Sequence, residues 1–170
     1  MLEKGSKYEK QLIHSINNEV DKATPLHLAA LAQNIDACRI IIRAMNKNKS
    51  RKVSLASVGL NAQDSSGNTP LHMATMMENL KIVKLIEGYG GDLMQDNHSG
   101  VSPVDIALKI KTDDILIHYS RKAEAREYLQ SIIDFTDIDQ LTPDQAKDLQ
   151  SKKAKISKIM KGEKPVEAPE

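Results

Sequence analysis

Aromatic side chains are scarce in this chain: four Tyr, one Phe and no Trp, 3% of the residues. So sparse a set disfavours aromatic β-sandwich cores and rows of rings on which bases stack. Cysteine occurs once, at Cys38, which excludes an internal disulfide or a multi-thiolate zinc site and fits a reducing compartment. Long hydrophobic runs are missing; the longest uncharged apolar stretches reach only about five residues, far short of a membrane span. The first residues, Met1-Leu2-Glu3-Lys4-Gly5-Ser6-Lys7, carry charges of both signs with no apolar block behind them, unlike a secretory signal. Nor is there an excess of one charge, since 24 Lys plus Arg face 23 Asp plus Glu. That balance argues against a polycation that wraps nucleic acid along its whole surface.

What is present is 170 residues, 40% of them apolar, carried by Leu, Ile, Ala, Val and seven Met. This is a helix-forming palette, in a chain long enough for one ordinary domain. The expectation is a mostly helical, cytoplasmic protein without a membrane span.

Internal repetition is the strongest signal. Thr24-Pro25-Leu26-His27-Leu28-Ala29-Ala30, Thr69-Pro70-Leu71-His72-Met73-Ala74-Thr75 and Ser102-Pro103-Val104-Asp105-Ile106-Ala107-Leu108 align, with 33 residues from Thr69 to Ser102. The first two copies are 45 apart, one period plus a 12-residue insertion. In each copy Thr or Ser is placed to cap a helix and Pro to occupy its first turn, where no amide donor is needed. A second apolar stretch follows, Ile35, Cys38, Ile41 and Ile42 in the first unit and Leu80, Val83, Leu85 and Ile86 in the second. Each unit predicts a helix–turn–helix pair whose apolar side can be buried only by stacking on its neighbours.

The Thr-Pro-Leu-His-x-Ala pattern at this period resembles the ankyrin repeat. Residues 60–69, Leu60-Asn61-Ala62-Gln63-Asp64-Ser65-Ser66-Gly67-Asn68-Thr69, look like its β-turn finger and lead-in. The resemblance implies an all-α solenoid of three repeats over 21–120, divided as 21–58, 59–91 and 92–120. An N-terminal capping helix is expected over 1–20, with Tyr8, Leu12, Ile13 and Ile16 on one side. The first unit lacks a Gly-containing finger at Asn18 to Ala23, and the third has Asp105 where His stands in the others. A helical extension follows over 121–162. Ile115 to Phe135 predicts one long helix or two with a kink near Ser120, and Thr142-Pro143-Asp144-Gln145 predicts a capped start. Residues 163–170 read as a disordered tail. The insertion, 46–58, carries Lys47, Lys49, Arg51 and Lys52 and reads as a solvated loop.

No catalytic constellation is visible, and no cofactor or metal is called for. His27 and His72 occupy equivalent positions, where the resemblance implies that they brace the fingers. Cys38 reads as a buried thiol. Thr112-Asp113-Asp114 reads as a helix cap with dipole charges, and Gly88 with Gly90-Gly91 as a helix end rather than a phosphate loop.

The resemblance further implies a protein-binding groove at Leu31, Ala32, Met76, Met77, Lys109 and Ile110, five of them apolar where polar residues are usual. A polar rim would come from finger residues Ser65, Ser66, Asn68, His98, Ser99 and Val101. The implied function is a non-enzymatic adaptor, scaffold or inhibitor, monomeric and without a small-molecule substrate. By family analogy it could be a bacterial effector in host cytosol. The alternative is binding of nucleic acid or anionic lipid through Lys152, Lys153, Lys155, Lys158, Lys161 and Lys164, which against Glu163 give +5 over thirteen residues.

Overall fold

The computed structural model describes residues 22–47, 59–110, 113–138 and 140–161. Two compact units divide the chain, residues 1–106 and 107–170. No strand occurs among the described residues.

The first unit holds two helix pairs, α1 (Pro25–Leu31) with α2 (Ile35–Lys47) and α3 (Pro70–Met76) with α4 (Leu80–Gly88). Within each pair the helices pack together, and the pairs stack α1 on α3 and α2 on α4. Thr24 and Thr69 cap their helices as the sequence predicts, each accepting a hydrogen bond from the backbone of the His three residues on. The small Ala29, Ala30 and Ala74 are buried between helices with Leu26, Leu71, Ile82, Val83 and Ile86. Ile82 and Met45 join this core although the motif alignment did not single them out.

The repeats also end alike. At α4, Gly91 N–H donates to the Ile86 carbonyl and Gly90 N–H to Glu87, with Gly90 at φ +105°. This paired closure needs a left-handed residue, which glycine supplies without strain. At α1 and α3 the same closure runs Asn34 to Ala29 with Gln33 to Ala30, and Asn79 to Ala74 with Glu78 to Thr75. There the left-handed residues are Gln33 and Glu78, each at φ +54°. Asn34 and Asn79 then cap the next helix by accepting from the amides of Ala37 and Ile82.

Before α3, and again 33 residues later, the chain makes the same turn. Gly67 N–H donates to Asp64 and Gly100 N–H to Asn97, both at 3.0 Å. Asp64 and Asn97 side chains each accept two further amides of their own turn. Gly67, at φ +79°, is demanded twice over: a Cβ there would lie 2.5 Å from the His98 nitrogen of the following turn.

The fifth helix, α5 (Pro103–Lys109), carries the third motif. Beyond it lie α6 (Asp114–Tyr119), α7 (Ala123–Asp134) and α8 (Pro143–Met160), with α8 packed on α6 and α7. The stretch after Ile115 is thus two helices, broken at Ser120 to Lys122. Leu116, Tyr119, Ala125, Leu129, Ile156 and Ile159 form the buried centre of this second unit. Thr142 and Gln145 make the expected reciprocal capping pair at α8. Of the Thr112-Asp113-Asp114 stretch, Asp113 stands at the start of α6 and makes no side-chain cap bond. Its carboxylate lies 3.2 Å from Lys155 Nζ instead. The expected N-terminal capping helix, residues 48–58 of the insertion, Thr112 and the 163–170 tail lie outside the described residues; Asn46 and Lys47 close α2.

Candidate functional site

The two motif histidines set the frame on which a binding surface would rest. Thr24 N–H donates to His27 Nδ1 at 3.1 Å, so that nitrogen is unprotonated and Nε2 carries the hydrogen. Nε2 then donates to the carbonyl of Asn68 at 2.8 Å. His72 repeats this with Thr69 N–H at 3.0 Å and the Val101 carbonyl at 3.0 Å. Each ring ties a helix start to the turn of the following repeat, which is the bracing role the resemblance implied. Burial pushes both histidines below the ordinary imidazole pKa of 6.5, against weaker raising contributions from the backbone carbonyl contacts and Asp64. At the third motif, Asp105 keeps the local half of the arrangement: its Oδ2 accepts from Ser102 N–H at 2.9 Å and Ser102 Oγ at 2.7 Å.

The turns are also tied side by side. His98 N–H donates to the Ser66 carbonyl, Asn97 Nδ2 to Asn68 Oδ1 and Gln63 Nε2 to both Gly67 and Asp96 carbonyls. Of the expected rim residues, Ser65, Ser66, His98 and Ser99 are exposed, whereas Asn68 and Val101 are half-buried. Asn68 spends its side-chain oxygen on Asn97 and its carbonyl on His27.

On the helices of the first unit, Leu31 is 48% exposed and Met76 38%. Ala32 is exposed as well, and Met77 is half-buried. These side chains sit at corresponding ends of the neighbouring helices α1 and α3. Leu28, 56% exposed, joins them, although the groove prediction omitted it. The spacing could have revealed it, since residues three apart share a helix face. The last expected pair lies in the second unit, where Lys109 is exposed and Ile110 half-buried. The Ile110 carbonyl accepts from Lys155 Nζ at 2.8 Å.

Lys155 is the least expected residue of the second unit. Its ammonium also lies 3.3 Å from the Ala107 and Leu108 carbonyls, closing the C-terminal end of α5, where a cation is favoured by the helix dipole. Lys152 pairs with Asp148 at 2.6 Å, and Lys153 donates to the Phe135 carbonyl. Among the described residues no group of three His, Cys, Asp or Glu could hold a metal ion, and no helix is long and apolar enough to cross a membrane. Cys38 is fully buried, and desolvation pushes its thiol up to about 11.

Comparison with known proteins places this geometry. Residues 4–97 match the family description "Ankyrin repeats (3 copies)", so α5 and the second unit lie beyond the matched stretch. Human neurogenic locus notch homolog protein 1 is 30% identical over 105 residues, 60% of this chain and 4% of that protein. Human protein phosphatase 1 regulatory subunit 27 is 39% identical over 67 residues, 39% of this chain and 40% of that protein. The regulatory protein SWI6 of Saccharomyces cerevisiae is 48% identical over 46 residues, 27% of this chain and 6% of that one. The chain therefore spans less than half the length of these curated relatives. A solved structure of yeast ribosomal protein Rps3 in complex with its chaperone Yar1 superposes with a TM-score of 0.52 at 24% identity, covering 75% of this chain and 77% of that one. That likeness speaks to the fold.

Proposed function

Because the chain belongs to the ankyrin-repeat family, whose repeat domains are non-catalytic modules for protein–protein interaction, we propose that it captures a partner protein on the α1–α3 face. One observation carries this reading: Leu28, Leu31 and Met76 stay exposed on two helices packed side by side. Burying one such side chain would contribute roughly 1.5–3 kcal/mol, and Met adapts its shape to irregular partners. The exposed Ser65, Ser66, His98 and Ser99 of the turns supply polar selection beside this apolar patch. An adaptor, a scaffold or a competitive blocker are the roles it covers. The setting is the cytosol, whether of the producing cell or of a host that receives the chain as an effector; a lone buried thiol suits either.

Recognition of nucleic acid or anionic lipid through α8 is the weaker reading. Lys152, Lys153 and Lys155 already bind groups of the protein itself, which leaves fewer cations free to neutralise phosphates.

The test is capture by wild type beside a Leu31→Lys/Met76→Lys variant. Both side chains are exposed, so helicity and melting should be preserved while the captured protein is lost. Equal capture by both would overturn the proposal, as would salt-sensitive DNA or vesicle binding that accounts for all recovered partners.

A further inference from the structure

The second unit contains a cleft of ≈ 370 Å³ between α7 and α8. Its apolar lining is Ile132, Phe135, Leu141 and Leu149. Phe135 leaves α7 in extended conformation and remains 44% exposed, and Ile138 on the same connection is 49% exposed. Two large apolar side chains facing water beside an apolar cleft form the kind of patch that a monomer seldom keeps without use. This patch is independent of the α1–α3 face.

Charge indicates what would fill it. Asp134, Asp137 and Asp144 are exposed and stand within two residues of the lining residues Phe135 and Gln145 in sequence. Asp134 accepts from Gln130 Nε2, and among the described residues none of the three forms an ion pair. The fourth carboxylate, Asp148, is neutralised by Lys152 at the cleft wall. Lys153 is held on the Phe135 carbonyl, which leaves exposed Lys147 as the cation nearest Asp144 and Asp148 in sequence. The opening is therefore apolar inside and net negative outside. An acidic ligand or a phosphate would meet repulsion there, and a purely apolar one would make no use of the carboxylates.

We propose that this cleft is a docking site for a short amphipathic, basic helix of a partner protein. Its apolar side chains, three or four residues apart, would enter between Phe135 and Leu149, and its Lys or Arg side chains would meet Asp134, Asp137 and Asp144. Helix-in-groove recognition works through such anchors, while the peripheral charges chiefly set approach and specificity.

The test is selection of random peptides of about twelve residues, enough for some three helical turns, on the full chain. The expected result is enrichment of sequences with spaced apolar anchors and net positive charge. Their affinity should fall at least about tenfold in Phe135→Asp, and also in Asp137→Lys/Asp144→Lys, which leaves the lining intact. Circular-dichroism melts of both variants separate lost binding from lost fold. Enrichment of neutral or acidic sequences, or binding that survives both variants, would overturn the proposal. So would sedimentation showing that wild type dimerises and Phe135→Asp does not, or tighter peptide binding after deletion of residues 162–170. The first result would mean that a second copy fills the cleft, the second that the chain's own C-terminus does.

Discussion

The imidazole of His27 reaches the backbone carbonyl of Asn68 across 41 residues of sequence, at 2.8 Å. In the neutral ring Nδ1 accepts from the Thr24 N–H; protonation of that nitrogen abolishes this acceptor, although Nε2 can still donate to Asn68. Both motif histidines have pKa values lowered by burial, so the unfolded chain binds protons more readily than the folded one. Their stabilising contribution is then complete above the unfolded value of about 6.5 and is lost as pH falls through the lower folded values. Urea midpoints should be flat from pH 8 to about 6.5 and decline towards pH 5. A variant carrying His27→Gln and His72→Gln should be less stable at pH 8 and show a shallower decline; an equally steep one would assign the effect to other groups.

Truncating His72 to Ala strands the Thr69 amide and removes one of two donors to the Val101 carbonyl, which keeps the Asn97 N–H. Groups of this kind cost about 1–3 kcal/mol each when buried without a partner. A loss of about 3 kcal/mol is expected from denaturant titration, with amide exchange accelerating first in the turn from Asn97 to Val101.

Gln33 and Glu78 hold left-handed backbone at the ends of α1 and α3, a conformation unfavourable to residues with a Cβ. Gln33→Gly and Glu78→Gly should each raise stability by roughly 0.5–1 kcal/mol, the relief of strain outweighing the greater entropy of an unfolded glycine. Gly90→Ala should act in the opposite sense. Thermal melts of the three variants suffice, and a loss of stability in both glycine variants would refute the strain account.

Lys155 satisfies the Ala107, Leu108 and Ile110 carbonyls and pairs with Asp113. Lys155→Met keeps the aliphatic stem but removes every donor. Hydrogen exchange should quicken from α6 into α8 relative to the first unit, with a cost of about 1–3 kcal/mol. Unchanged exchange there would show that water replaces the ammonium without penalty.

Cys38, buried and with its thiol pushed up to about 11, should resist a thiol-specific disulfide reagent at neutral pH. Full reaction should follow in denaturant, because the thiolate is the reacting species.

The repeat frame was legible because its causes are local. Thr69, Pro70 and the two alanine-rich faces specify a capped helix within a few residues, and the period exposes stacking. Leu31 and Met76 could be named in advance by their place in the motif, and they are exposed. Met77 and Ile110, named by the same rule, are half-buried. Other features depend on contacts that no local pattern encodes. Nothing in a glutamine or a glutamate announces positive φ; only the paired hydrogen bonds from Gln33 and Asn34 back into α1 require it. Lys155 read as one of six lysines that could meet nucleic acid or anionic lipid, since its partners lie some 42 to 48 positions away. The cleft beside Phe135 was hidden for a similar reason: Ile132 and Leu149 fit an ordinary helical stripe until the spacing of α7 and α8 is known.

Asp105 gives the third motif a different kind of meaning. A carboxylate can receive hydrogen bonds but has none to donate, so Asp105 cannot make the bond to a following carbonyl that His27 and His72 make. Extending the array is therefore not a matter of copying a unit after α5. A grafted repeat that is to be held by the same bond to a carbonyl would first need a donor at position 105.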